Sequence, residues 1–346
     1  MIAGAPSEAR WYRPEPRLSL PRPLAEGIAR DAFPHCRVSE VRPFPDGYRN
    51  ANFKLQLEGL PEPFALRIYE HDPSLCQKEA DLLRLLARSV PVPEIIHVAP
   101  QGLQDLPPFA LMRCMEGINF RELKRRGDSA TIAQAAYSAG QVLAAIHKFK
   151  FEKSGWLGPG LRVTAPLMEG ADPMPRFVDS CLASANLKSR MSPDLRDALH
   201  SLIWSDAPEL QQLDVAPCLV HGDFGKRNLL VSPLECGSSG AAFTQPAGTW
   251  TIVAVLDWEF AAAASPLTDL GHFLRYDSAS RPNLEPHFSN GYLDKRGSLP
   301  EDWRRKARLV DLTALCESLT HDQLPDSVTA ELLELIRATT ENRDPI

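Results

Sequence analysis

Between Cys36 and Tyr69 apolar and polar residues alternate. Phe53, Leu55 and Leu57 are separated by Lys54, Gln56 and Glu58, and Phe64-Ala-Leu-Arg-Ile-Tyr69 follows a break at 59–63. A period of two sends successive side chains to opposite faces, so these runs predict strands of a small antiparallel sheet. Val38, Val41 and Phe44 lead into it through a Pro-Asp-Gly turn at 45–47. From Gln77 the rhythm changes. Ala80, Leu82, Leu83, Leu85 and Leu86 predict a helix over 77–89, stopped by Pro91 and Pro93. Phe109 to Gly117 reads as a further strand. Ile132, Ala136, Ala139, Val142, Leu143 and Ile146 then mark the buried face of a long helix over 129–148. The rest of the chain has helical rhythm, with helices expected near 194–204, 302–320 and 327–338 and short strands only around the two motifs described below.

This pattern divides the 346 residues into an arm or short leading helix at 1–30, a sheet-rich N-lobe at 31–115 and a larger helical C-lobe at 116–346. Trp11 and Tyr12 are expected to pin the arm to the body. The fold class is α+β, with a cleft between the lobes, where binding sites often lie. Residues 233–249, rich in Gly, Ser, Ala and Pro, have no helical period and read as a loop or hairpin insertion.

Composition narrows the function classes. Hydrophobic residues at 44% and charged residues at 24% are ordinary for a globular protein. A net charge of −6 argues against nucleic acid as a main partner. No apolar run reaches the length of a membrane span, and Met1 to Leu20 has no signal-peptide core. Seven cysteines without regular spacing read as reduced thiols, which points to the cytoplasm. Residues 1–115 carry 14 basic and 14 acidic residues, whereas 257–346 carry 10 and 16, so the last segment accounts for the whole excess. Such a face would attract a cationic partner; a merely solvated helical surface is the simpler reading.

Two motifs carry chemistry. Residues 221–228 read His-Gly-Asp-Phe-Gly-Lys-Arg-Asn, and a hydrophobic run ends at Leu256-Asp-Trp-Glu259. Asp223, Asn228 and Asp257 are then three metal-capable groups at the spacing phosphoryl transfer uses. In that chemistry one carboxylate orients a hydroxyl while an amide and a second carboxylate hold a divalent ion against phosphates. Asp and Asn also populate ordinary turns, because their side chains bond the nearby backbone. Turn chemistry does not account for two correctly ordered motifs.

Together with Gly47-x-x-Asn50-x-x-Phe53, Ala65-Leu-Arg-Ile-Tyr69, Leu143-x-x-Ile-His147 and Asp269-Leu-Gly, these motifs identify a resemblance to the aminoglycoside phosphotransferase and choline kinase superfamily. These are small-molecule kinases with a bilobal, protein-kinase-like fold. The resemblance runs from about residue 38 onward. It implies that Asp223 is the catalytic base, that His221 belongs to the catalytic loop and holds it, and that Asn228 and Asp257 bind Mg2+. It implies that ATP is the phosphoryl donor. Asn50 would lie in the loop over the triphosphate, and Arg67 would take the place of the phosphate-binding lysine, with Glu79 as its partner. The segment from Met112 to Met115 would form the hinge that meets adenine. Arginine can serve there, since a guanidinium binds phosphate in a bidentate manner and stays charged.

Gly222 stands where protein kinases carry an arginine that senses a phosphorylated activation loop, so a small acceptor is expected instead. Trp258 reads as packing, Glu259 as an acid beside the metal or a substrate contact, and Asp269 as a structural support or helix cap. His147 reads as a satisfied helix-end histidine. The resulting expectation is an ATP- and Mg2+-dependent phosphotransferase acting on a small hydroxyl compound, among them cationic amino alcohols and aminoglycosides. The alternative is a nucleotide-binding pseudokinase without turnover. Protein kinase activity is disfavoured by the lack of an Ala-Pro-Glu string after Asp257.

Overall fold

A computed structural model describes residues 19–44, 50–103, 106–211, 216–234, 248–277 and 282–341. Gly47, Trp11, Tyr12 and Cys236 lie outside these residues, as does most of the 233–249 insertion. The alternation in the first third becomes β1 (Val38–Pro43), β2 (Ala51–Leu57) and β3 (Phe64–Ile68). In β2 the odd positions Ala51, Phe53, Leu55 and Leu57 are buried and Lys54 is exposed. With β4 (Ile95–Ala99) and β5 (Phe109–Arg113) they form one antiparallel sheet in the order β1-β2-β3-β5-β4. A helix α1 (Arg22–Ala32) precedes the sheet and buries Ala25, Ile28 and Ala29 against it. It crosses the expected limit of the arm at residue 30, and its inner face belongs to the N-lobe core. The helix α2 (Leu75–Leu86) follows β3.

The chain leaves the first sheet through β6 (Ile118–Asn119) and α3 (Phe120–Arg126). The side chain of Asn119 caps α3 by accepting from the Glu122 amide, and Asp128 caps α4 (Ser129–Ile146) by accepting from Thr131. The six residues expected on the inner face of α4 are all buried. Two short strands, β7 (Gly155–Leu157) and β8 (Val163–Ala165), come next, where only helical rhythm was expected. Strands of three residues are too short to show alternation, and Trp156 in β7 is 41% exposed, so no apolar pattern announces them.

Helices α5 (Pro173–Ala183), α6 (Ala185–Arg190), α7 (Pro193–Ser205) and α8 (Ala207–Gln211) lead to β9 (Cys218–Val220). Strands β10 (Leu229–Pro233) and β11 (Trp250–Val255) pair as an antiparallel hairpin. β12 (Ala262–Ala264) joins β9 and β7. The chain ends in α9 (Leu267–Leu274), α10 (Glu285–Arg296), α11 (Trp303–Thr320) and α12 (Asp326–Thr340). The architecture is the expected α+β arrangement, with an antiparallel sheet in the first part and a largely helical second part.

One hydrophobic cluster joins Leu82, Leu83 and Leu86 of α2 to Val142 and Leu143 of α4 and to Trp258. Thus α2 belongs to both lobes. A second cluster lies among α5, α7, α11 and α12 and contains none of the motif residues. Among the described residues no helix is long and apolar enough to cross a membrane, and the six described cysteines are free thiols.

Candidate active site

The β10–β11 register places Leu229 opposite Val255. The 221–228 loop therefore enters this hairpin beside the point where Asp257 leaves it. Two hydrogen bonds join the motifs: Leu256 N–H donates to the Asn228 carbonyl at 2.8 Å, and His221 Nε2 lies 2.9 Å from the Leu256 carbonyl. Leu234 and Gly248, within the two ends of the insertion, pair at the opposite end of the hairpin.

The His221 ring has no freedom of role. A carbonyl only accepts, so Nε2 carries the proton, and Nδ1 accepts from the Asp223 N–H at 3.2 Å. The ring is fully buried, with its centroid 4.6 Å from that of Trp258. His221 thus shapes the loop with both nitrogens. Trp258 is 1% exposed and donates Nε1–H to the Val255 carbonyl, which makes it a packing residue. Gly222 has φ +79, and a Cβ there would stand 2.4 Å from the Phe260 carbonyl oxygen. Both the left-handed backbone and the contact demand glycine.

Asp269 lies under the loop. Its Oδ2 accepts from His221 N–H at 2.7 Å and its Oδ1 from Gly222 N–H at 2.9 Å. His147 Nε2 lies 3.2 Å from Oδ2, and the Tyr292 hydroxyl lies 2.9 Å from His147 Nδ1. All three side chains are fully buried. Burial pulls the His147 pKa down against the pull of Asp269. Burial opposes ionisation of Asp269 as well, but the hydrogen bond and charge of His147, with the nearby His221 ring and backbone N–H, win and lower its pKa.

Asp223 is held at both oxygens. Oδ2 accepts from Asn228 Nδ2 at 2.9 Å, and Oδ1 lies 2.8 Å from His272 Nε2. Its side chain is 38% exposed at the cleft. Burial opposes its charge, yet the His272 hydrogen bond, the nearby His221 and the Asn228 amide hold its pKa at about 2. Asn228 Nδ2 also donates to the Asp223 carbonyl at 2.9 Å. With its amide nitrogen so engaged, Asn228 has its oxygen left to face a cation.

Across the cleft Asp257 adopts φ +66, a conformation aspartate tolerates better than most residues. Its Oδ1 lies 2.6 Å from Arg67 Nη2 on β3. The same nitrogen lies 3.3 Å from Glu79 Oε1 on α2 and 3.6 Å from Glu259 Oε2. Glu79 Oε2 accepts from the Tyr69 hydroxyl at 3.0 Å. Burial disfavours the Arg67 charge, but Asp257 and Glu79 more than offset it and its pKa rises. Burial raises the Glu79 pKa in spite of Arg67 beside it. Asn50 Nδ2 donates to Glu259 Oε2 at 3.2 Å. Glu259 is therefore turned into the lobe junction, 8% exposed, and faces Asn50 and Arg67.

Met112 sits within β5, its side chain in the shared core, paired with Ala65 and Ile95 in register. The amides of Arg113 and Cys114 donate to the Glu94 and Pro63 carbonyls. Met115 is half-buried in the segment after β5. The expected nucleotide contacts therefore divide: Asn50, Arg67 and Glu79 converge on Asp257 and Glu259, while Met112 and Met115 belong to the connection between lobes.

Three residues escaped the motif reading. Lys78, 3% exposed, donates Nζ–H to the Glu259 carbonyl at 2.5 Å and so ties α2 to the Asp257 segment. Burial lowers its pKa against the attraction of Glu79 and Glu259. Its signal was a lysine in register with Leu82 and Leu86 on the apolar stripe. Lys226 donates to the Phe273 carbonyl at 2.6 Å, joining the 221–228 loop to the last turn of α9, where carbonyls lack helical partners. His272 stands three residues after Asp269, a spacing that keeps helix neighbours on adjacent positions.

The donor set suits a magnesium nucleotide. One amide oxygen and one carboxylate are few protein ligands, as Mg2+ with phosphate partners and waters requires. Among the described residues no cluster of three His, Cys, Asp or Glu side chains forms a closed all-protein metal cage. Among the described residues, two buried polar atoms on side chains that face Glu259, Asn50 Oδ1 and Arg67 Nε, have no hydrogen-bond partner, which fits a polar ligand at this junction.

Comparison with known proteins gives the family and the fold. Residues 40–309 match the model of the APH phosphotransferase enzyme family. Acyl-CoA dehydrogenase family member 11 of Pongo abelii is 26% identical over 244 residues, which cover 70% of this chain. The chain spans only 27% of that relative's length. Among solved structures, the GDP complex of wild-type aminoglycoside 2'-phosphotransferase-IIIa superposes with a TM-score of 0.63 at 18% identity, covering 93% of this chain and 99% of that one. A ternary complex of aminoglycoside phosphotransferase APH(4)-Ia with AMP-PNP and hygromycin B gives 0.61 at 17% identity, covering 92% and 98%. With its family model matched over most of its length and its two motifs joined at one cleft, the chain belongs to the APH phosphotransferase enzyme family.

Proposed function

We propose that this protein transfers the γ-phosphoryl group of ATP to a hydroxyl of a small molecule. The observation that carries this reading is Asp223: an ionised carboxylate, partly exposed at the cleft, held at both oxygens on a loop bonded to the Asp257 segment. In the reaction the acceptor oxygen forms a bond to γ-phosphorus as the bond to the β-phosphate oxygen breaks, and the hydroxyl proton moves to Asp223. A base of such low pKa contributes chiefly by aligning the attacking oxygen. Asn228 and Asp257 would hold Mg2+, which when bound neutralises phosphate charge. Arg67, kept in place by Glu79, supplies a fixed positive charge for the phosphates.

The acceptor is a small molecule. The solved neighbours bind hygromycin B and kanamycin, which supports hydroxyl-rich, cationic candidates. The acidic last third supports them less than its charge suggests. Asp269, Asp277, Asp311, Glu259 and Glu285 are all buried. Asp277 accepts from the Leu284 and Glu285 amides, and Asp311 binds Arg275.

The test is ADP release in the presence of Mg2+ with a panel of amino alcohols, aminoglycosides and sugars. A hydroxyl-bearing acyl-CoA belongs in the panel because that thioester stands in the relatives' name. Turnover with one acceptor that vanishes in Asp223→Asn supports the assignment. Nucleotide binding without turnover for every acceptor would favour the pseudokinase alternative. The presence of Asp223, Asn228 and Asp257 weighs against that alternative; Arg67, standing where kinases carry a lysine paired to a glutamate, is the feature in its favour.

A further inference from the structure

The helix that carries Asp269 also carries His272. Its Nε2 lies 2.8 Å from Asp223 Oδ1, and its Nδ1 lies 3.3 Å from Arg275 Nη2. A guanidinium only donates, so Nδ1 accepts and the ring proton sits on Nε2, directed at Asp223. Arg275 is itself held by Asp311 through two hydrogen bonds of 2.8 and 2.6 Å. Those two side chains are 11% and 7% exposed. A line of donors thus runs from the C-lobe interior to one oxygen of Asp223, while Asn228 holds the other. The loop leaves room for it: a Cβ on Gly225 would stand 3.3 Å from His272 Nε2 and 3.8 Å from Asp223 Oδ1.

We propose that His272, backed by Arg275 and Asp311, is a positioning residue that fixes the orientation of the Asp223 carboxylate toward the acceptor hydroxyl. The proposal rests on the phosphotransferase reading above. The terminal torsion of an aspartate is broad and roughly two-fold, so one donor alone leaves the carboxylate free to rock about its bond axis. Donors on separate oxygens, from His272 and Asn228, hold its plane. The remaining lone pairs stay available to the acceptor. The line ends in Arg275, which has no acceptor atom, so His272 orients the base and carries no proton away from it.

The experiment compares His272→Phe, which keeps a ring without a donor, with His272→Gln, whose amide can place an N–H near the position of Nε2. The expected result is a kcat about 10- to 100-fold lower in the Phe variant, with the KM for ATP within about twofold of the parent. The Gln variant should recover most of the loss at a similar melting temperature. A Phe variant that turns over at the parental rate overturns the proposal, as does a Gln variant as slow as Phe at equal stability. If the Phe variant does not fold, Gly225→Ala crowds the same contact and should lower kcat in the same way; parental kcat in that variant overturns it.

A nitrogen-detected NMR spectrum of the imidazoles tests the geometry without turnover. It should show His272 protonated at Nε2 and unprotonated at Nδ1; the opposite tautomer overturns the proposal. A parent protein with this tautomer that phosphorylates no acceptor overturns the functional reading instead, and leaves the His272 contact structural.

Discussion

Arg67 Nη2 lies 2.6 Å from Asp257 Oδ1, although 190 residues separate them in the chain. The pair joins the two lobes at the floor of the cleft, and Glu79 completes it from α2. The same guanidinium is thus a structural tie and a buried cation beside Asp257.

Removing that cation should cost stability as well as binding. Glu79 is 4% exposed, and Arg67→Met leaves it beside Asp257 without its arginine. Breaking one side of a buried pair costs roughly 3–5 kcal/mol, to be read from urea unfolding of the variant. Glu79→Gln, which keeps a side-chain oxygen for Arg67, should lose less. Equal stability of parent and Arg67→Met would show that the tie carries no net stabilisation.

Asp223→Asn should lower kcat by about two to four orders of magnitude, the range for a lost general base, while the dissociation constant for ATP stays near the parental value. Because the Asp223 pKa is about 2, the base is ionised throughout ordinary assay conditions. The kcat profile should therefore show no acid limb from this group between pH 8 and 5. A limb in that window that disappears on replacing another residue would assign the base elsewhere.

Gly222→Ala forces a side chain into a left-handed backbone position 2.4 Å from the Phe260 carbonyl. Strain of this kind costs of order 1–3 kcal/mol, and relief requires moving the loop that holds Asp223. Both melting temperature and kcat should fall. A change in kcat alone would mean that the loop shifts without strain.

The buried His147–Asp269 pair makes stability depend on acid. His147 has a folded pKa below its ordinary 6.5, so below that value the unfolded chain binds a proton that the folded chain refuses. Stability falls as pH drops from 6.5 toward the folded value, by up to about 1.4 kcal/mol for each pH unit crossed. Asp269 acts at lower pH: its depressed pKa stabilises the fold above 3.8, and that contribution is lost as pH falls through the folded value. Thermal unfolding between pH 7 and 5 should show the first slope, and His147→Gln should flatten it. An unchanged slope would place the titrating group elsewhere.

Magnesium should couple to the nucleotide. ATP with Mg2+ at 100 times the dissociation constant stabilises a single site by about 2.7 kcal/mol, visible as a rise in melting temperature. EDTA, or Asp257→Asn, should remove most of that rise. Full stabilisation by ATP in EDTA would contradict the roles given to Asn228 and Asp257.

Much of this arrangement was legible along the chain, because its signals are local. Alternation in β2 and the apolar stripe of α4 follow from backbone periods of 2 and 3.6. The phosphotransferase motifs have fixed internal spacing, which is why Asp223, Asn228 and Asp257 could be named together. Other elements carried no such signal. Strands β7 and β8 are three residues each, too short to establish a period. Lys78 and His272 look like ordinary polar residues on helices, since their partners lie 181 and 49 positions away.

The sequence by itself determined which residue types stand in the two motifs and in what order, because loop chemistry depends on near neighbours. It also determined that position 222 is a glycine, which only the fold explains through Phe260. Tertiary structure alone decided which groups face one another: Glu259 toward Asn50 and Arg67, His147 toward Asp269, and His272 toward Asp223. Those pairings depend on how α2, α4 and α9 pack. Packing is set by burial summed over the whole core, which no single stretch of sequence contains.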